Sequence, residues 1–129
     1  MRNKHVIAVL SLSLLFSSAS VFAADLEKDM DTLKDGLSVV KKTSDAQEMH
    51  TALGKMRQAA TDAKQSTPEK LEGQAADSAQ IKDYHAGLDS LIAQIDVVDQ
   101  LAQANKLDEA KAEAKKLEDI RSANHKKFR

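Results

Sequence analysis

At 129 residues, with 30% charged side chains, 3% aromatics, four glycines, one proline and no cysteine, the chain has room for one small domain with a single core and no disulfide to support it. Of its 19 basic residues, Arg2 and Lys4 lie in an N-terminal leader, which leaves 17 against 20 acids, a net charge of −3 for the remainder. That balance, the lack of a basic block, and only Tyr84 and Phe128 as aromatics beyond the leader exclude a surface that tracks phosphates and stacks bases.

Residues 1–23 open with Arg2 and Lys4, continue through the apolar run Val6 to Phe16, and close in the small-residue region Ser17 to Ala23. This is the pattern of a secretory signal, with Val21 and Ala23 at the positions a signal peptidase reads. The run is shorter than the ~20 residues that span a bilayer, so cleavage after Ala23 and no membrane contact thereafter are expected. The mature chain would be Ala24 to Arg129. It is rich in Ala, Leu, Lys, Asp and Glu and shows no strict apolar–polar alternation, so it reads as all-α.

The first helix is expected over about Asp25 to Lys42, with Leu26, Met30, Leu33, Leu37 and Val40 as a heptad-like seam. Thr43-Ser44-Asp45 stops it and caps the next helix, and Glu48 stands where a capping box places its acid. The second helix, about Ala46 to Gln65, has the seam Met49, Leu53, Met56, Ala60 and Ala63. Ser66 to Ser78 holds the sole proline, Pro68, and Gly73, and is long for a bundle connection; Leu71 gives it something to bury. The third helix, about Ala79 to Ala104, carries Ile81, Tyr84, Leu88, Leu91, Ile95, Val98 and Leu101, widened by Ile92 and Ala102. Asn105-Lys106 turns tightly into the fourth, Leu107 to Arg129, whose stripe is Leu107, Ala110, Ala114, Leu117 and Ile120. Two short connections and one longer one between amphipathic helices predict an antiparallel up-down-up-down four-helix bundle.

In that topology the start of the first helix and the end of the fourth share one end of the bundle. Met30 and His125 each lie one to two turns in, at ~1.5 Å per residue, with Tyr84 at a similar depth and the irregular connection as a roof. His125 falls at the edge of the apolar stripe and is expected to aim at the core, where it needs a partner. A thioether and an imidazole are the pair that suits a low-spin haem iron used for electron transfer. Met30 as a gap-filling core residue, and His125 as a histidine bonded to a backbone carbonyl or as a cation at a helix C-terminus, fit the same positions. Two aromatics make a meagre core, which a buried cofactor would supplement.

Four stretches carry a resemblance that covers the whole mature chain: ADLEKDMDTL from Ala24 to Leu33, KMRQAATDAK from Lys55 to Lys64, TPEKLE from Thr67 to Glu72, and the tail from Arg121 to Arg129. With these the chain resembles the cytochrome b562 family of soluble periplasmic haem proteins, themselves standard examples of up-down-up-down bundles. The resemblance implies periplasmic electron transfer by one non-covalent b-type haem per chain, with Met30 and His125 as axial ligands and Arg121 close to the haem edge. It also implies that Tyr84 and Leu88 stand where the family places phenylalanines against the haem, so the pocket gains a hydroxyl and loses a ring. Two further departures are Glu69, in place of the family's second loop proline, and Asn124, in place of the tyrosine before the histidine ligand. The related cytochromes c′ attach haem through C-x-x-C-H; the matching positions here are Arg121-Ser122-Ala123-Asn124-His125, with no cysteine in the chain.

Beyond haem, an unidentified redox protein with a basic docking patch is the expected partner, and a monomer the expected state. The alternative from another class is a haem-free periplasmic helical bundle acting as a chaperone or sensor adaptor. His50 and His85 read as solvated surface histidines rather than metal ligands, and the acids Asp25, Glu27 and Asp29 as complements to the helix dipole. The run Lys106 to Lys116 reads as an exposed face laced with i, i+4 pairs. No set of Ser, His and acid and no paired buried carboxylates point to an enzyme.

Overall fold

A computed structural model describes residues 26–128 of the chain; the predicted leader, Ala24, Asp25 and Arg129 lie outside them. The described residues form α1 over 26–42, α2 (Ala46–Ala63), a single 3-10 turn (Glu69–Leu71), α3 (Ala79–Gln103) and α4 (Leu107–Phe128). No helix among them is long and apolar enough to cross a membrane.

Each boundary follows from local chemistry. At the start of α2 the Gln47 amide donates to Asp45 Oδ1 at 3.0 Å, so the expected cap forms. The Asp45 amide itself donates to Thr43 Oγ1 at 3.1 Å, which is the role a capping box would have given to Glu48. Ser78 Oγ likewise accepts from the Ile81 amide and starts α3. At its other end Asn105 adopts a φ of 59°, a conformation asparagine tolerates better than most residues, and the Lys106 amide reaches back to the Leu101 carbonyl at 2.8 Å. The Asn105 amide donates to the Ala102 carbonyl, which completes a Schellman motif and turns the chain tightly into α4. The 66–78 connection is irregular as expected. It buries Ser66 and Pro68 as well as Leu71.

Antiparallel register is fixed by side chains that pair in reverse order. From α2 to α3 run Lys64–Asp89 at 2.6 Å, Arg57–Asp96 at 2.9 Å and His50–Asp99 at 2.6 Å. From α3 to α4 the Lys127 ammonium approaches Asp83 at 3.5 Å, and Gln94 Nε2 donates to the Glu113 carbonyl at 2.9 Å. Lys41 of α1 meets Glu118 of α4 at 3.1 Å, which closes the ring of four helices. Gly36 allows α1 to lie close on α2, since a Cβ there would come within 2.9 Å of Met56 Sδ. The core between them is built from Leu33, Leu37, Val40, Met49, Leu53, Met56, Ile81, Leu91, Ile95, Val98 and Leu117, with Ala102 rather than Leu101 as the last buried residue of α3. His50, expected to be a solvated surface histidine, keeps its side chain 44% exposed, and α2–α3 register brings Asp99 within hydrogen-bonding distance of its Nδ1.

Candidate cofactor site

The Lys41–Glu118 pair marks the seam between α1 and α4, and both ligand candidates lie on that seam. Met30 is eleven residues before Lys41; at about 100° per residue that is three turns and returns it to within about 20° of the same direction. His125 is seven residues after Glu118, two turns on, again within about 20°. Because the helices are antiparallel, both displacements run toward the same end, ~16 Å along α1 and ~10 Å along α4, so the two residues stand about a turn apart in height.

Neither residue belongs to the core. Met30 is 38% exposed, and the seam expected through Leu26, Met30 and Leu33 runs instead through Leu26, Asp29 and Leu33, with Asp29 9% exposed. The four-three and three-four spacings are both helical, and at this position the acid takes the inward phase. His125 is exposed as well, contrary to its expected aim at the core. It lies eight residues beyond Leu117, about 80° round the helix, whereas Asn124 and Phe128 continue the buried stripe more closely. Arg121, one turn before His125 and about 40° nearer the interior, is half-buried.

Behind the seam stand Tyr84 and Leu88, one turn apart on α3 and each 5% exposed. The hydroxyl that distinguishes Tyr84 from a phenylalanine donates to the Ala63 carbonyl at the end of α2, 2.7 Å away, so it is committed to the scaffold. Burial, and secondarily the Asp29 carboxylate, hold the phenol far above its usual range, and Tyr84 therefore carries no charge. Phe128 packs its ring edge-on to Tyr84 with centroids 5.4 Å apart. Phe128, which the sequence offers only as a core aromatic, and Asp29, which it offers only as a complement to the helix dipole, are the further neighbours of this site. The signal for Phe128 is its position three turns beyond Leu117, in phase with the core stripe.

His85 lies beside Tyr84, ring centroids 5.8 Å apart, on the half-buried flank of α3. Among the described residues no group of three or more His, Cys, Asp or Glu could hold a metal ion. The structure thus brings together Tyr84, Leu88 and the end of α4 as an apolar wall, and sets Met30 and His125 on the exposed seam beside it.

The family model for cytochrome b562 matches residues 25–129. The chain is 41% identical over the full length of both proteins to a probable soluble cytochrome b562 of Yersinia pestis, and 38% identical to a second such protein of that organism, over 98% of this chain and 99% of the relative. An uncharacterized protein of Pasteurella multocida is 31% identical over 96% of the chain. A match that runs through every helix of the bundle means that the chain belongs to the cytochrome b562 family.

Proposed function

We propose that the chain is an exported one-electron carrier that holds one b-type haem without a covalent link, with Met30 and His125 as the axial ligands. The observation that carries this reading is that a thioether and an imidazole share one seam at one end of the bundle and both lie outside the core. Met30, 38% exposed beside a buried aspartate, presents its thioether outside the core. Family membership supports the same reading, and the names of both Yersinia pestis relatives describe soluble cytochromes.

When bound, the haem iron supplies the one-electron couple. Met30 offers a soft, uncharged sulfur, which favours the reduced ion, and His125 offers a neutral imidazole nitrogen; neither ligand changes charge as the electron moves. Held by these two residues, the iron would be suited to electron transfer rather than to oxygen chemistry. Tyr84 and Leu88 exclude water from the inner side, and the Tyr84 phenol, neutral and bonded to Ala63, adds no charge to the site. Arg121 sets a guanidinium one turn before His125, where it complements an anionic group at the edge of the site. Since the chain has no cysteine, ligation and burial alone would hold the group. Export by the leader at residues 1–23 would place the carrier in the periplasm, with a basic patch on a redox protein as its docking surface.

The test is the absorption spectrum of the mature chain with haem added, oxidised and reduced, beside Met30→Ala. Sharp low-spin bands in the wild type that give way to a high-spin spectrum in the variant are expected. A wild type without a stoichiometric Soret band would overturn the reading and leave a haem-free bundle acting as an adaptor.

A further inference from the structure

We propose that Asn124 is a positioning residue that turns His125 toward α1, and that the missing side chain at Gly87 is what admits it. The inference rests on the reading of His125 as an iron ligand. It starts from a close approach of two helices. A Cβ built on Gly87 would lie 2.7 Å from Asn124 Cγ and 2.9 Å from Nδ2, so the amide of Asn124 lies directly on the α3 backbone. Nothing comparable surrounds Gly54, whose Cβ position is open to 4 Å.

Two further contacts from the same stretch of α4 grip α3. Phe128 stacks edge-on against Tyr84, and the Lys127 ammonium stands 3.5 Å from Asp83. Asn124, Lys127 and Phe128 thus form the side of α4 that holds α3, while Glu118 and His125 form the side turned to α1. Asn124 and His125 are adjacent in the chain, about 100° apart round the helix. Fixing the first against α3 therefore fixes the direction of the second.

The last turns of α4 need such a fix. The buried stripe of α4 is thin at this end, where Ile120 and Phe128 are only partly buried. At the ~5–6 Å radius of a helix with its side chains, a rotation of about 20° carries a side chain about 2 Å. Ligand distances at a metal tolerate about 0.2 Å. A small error in the phase of α4 would thus take the imidazole nitrogen of His125 out of reach of an iron shared with Met30.

A methyl group at position 87 forces the issue. Because Cγ of Asn124 is itself too close, turning the terminal amide does not relieve the clash. Asn124 must change χ1, for which a helix leaves few options, or α4 must move.

The experiment uses the mature chain with added haem as wild type, Gly87→Ala, Asn124→Ala, the double variant Gly87→Ala/Asn124→Ala, and Gly54→Ala as a control methyl on an open helix position. Low-spin fraction and haem affinity are read beside the helical melting curve of each haem-free protein. Gly87→Ala is expected to become partly high-spin and to bind haem at least about tenfold more weakly, in the range for loss of a group that supports a metal ligand. The double variant is expected to recover most of the low-spin signal, because the methyl added at position 87 occupies the space the amide leaves, and Gly54→Ala to match wild type. An unchanged spectrum and affinity in Gly87→Ala would overturn the inference, since Asn124 would then have moved without turning His125. Equal losses in the single and double variants would overturn it too, by tracing the effect to general loosening of α3 against α4. Should Gly87→Ala fail to fold, Asn124→Ala alone decides: a fully low-spin, tight-binding variant is incompatible with a positioning role. A wild type with no low-spin spectrum would instead overturn the ligand assignment, and this inference with it.

Discussion

Along the α2–α3 seam, His50–Asp99, Arg57–Asp96 and Lys64–Asp89 follow one another down the length of the helices, over the buried core. The α1–α4 seam is bridged by Lys41 and Glu118 toward one end, and toward the other it carries Met30 and His125, both exposed. The first seam is completed by the chain's own side chains. The second keeps two good iron ligands out of the core, as a seam must if a cofactor is to finish its packing. On the proposed reading, one bundle would separate the surface that makes it fold from the surface that binds.

If that separation holds, the largest effects should come from the ligands and should touch binding alone. Met30→Ala and His125→Ala are each expected to abolish the low-spin spectrum and weaken haem affinity by more than the about 10- to 100-fold typical of losing a supporting group. The haem-free melting curves should shift by no more than about 0.5 kcal/mol, as for other exposed positions. Thermal stabilisation by added haem, about 2.7 kcal/mol at a hundredfold excess over Kd for a well-bound ligand, should shrink in step. A haem-free Met30→Ala protein that melts far below wild type would assign Met30 to the core after all.

The reverse experiment truncates the closed seam. Ile95 is 1% exposed at the centre of α3, and Ile95→Ala should cost about 2–5 kcal/mol of haem-free stability through lost burial and the cavity left behind. Chemical denaturation measures it. Once folded, the variant should keep the wild-type low-spin spectrum. A spectral change as large as that of Met30→Ala would mean that the two seams are not energetically separate.

Most of the fold can be read from the residues because its determinants are local. The spacing of Ile81, Leu88, Leu91, Ile95 and Val98 marks α3, Asp45 and Ser78 mark the starts of α2 and α3, and Asn105 marks the sharp turn. Phase at a helix start is harder. Asp29 and Met30 offer two inward registers one residue apart, and hydrophobicity favours the one the protein does not use; the choice depends on what α3 presents there, which includes Tyr84. His125 is misplaced for a related reason, since extending the stripe from Leu117 takes no account of Asn124 lying on Gly87. That Met30 and His125 lie toward one end of the bundle is legible from topology alone, while their shared direction and the offset of about a turn between them become visible through the Lys41–Glu118 pair.

Tyr84 stands where the two surfaces meet, and Tyr84→Phe should give an intermediate effect. The phenylalanine keeps the apolar wall but deprives the Ala63 carbonyl of one donor; the Ser66 amide, 3.2 Å away, still reaches it. A loss of about 1 kcal/mol in the haem-free protein is expected, a melting shift of about 4–8 °C for a domain of this size. The pH dependence supplies an internal check. The folded phenol titrates above the 10.0 of a free tyrosine, so beyond that pH the unfolded chain releases a proton that the folded chain keeps. Stability from this source is complete below about pH 10 and falls above it, by up to about 1.4 kcal/mol per pH unit. Tyr84→Phe removes that slope, and the two proteins should converge as the solution becomes more alkaline. Parallel curves would show that the phenol is not held neutral by its surroundings.

The smallest effect should come from the ion pairs that look most like a zipper. Lys64 and Asp89 meet at 2.6 Å, but their side chains are 33% and 58% exposed, so water screens the attraction and ordering a lysine offsets part of it. A double-mutant cycle with Lys64→Ala and Asp89→Ala should give a coupling below about 1 kcal/mol that shrinks further as salt is raised, with the haem spectrum untouched. The pairs then act mainly on register: a slip of one residue between α2 and α3 would separate several of them at once, while the buried side chains beneath supply the close packing. A coupling well above about 1 kcal/mol that survives high salt would reverse this division and make charge, rather than the buried layer, the agent that closes the seam.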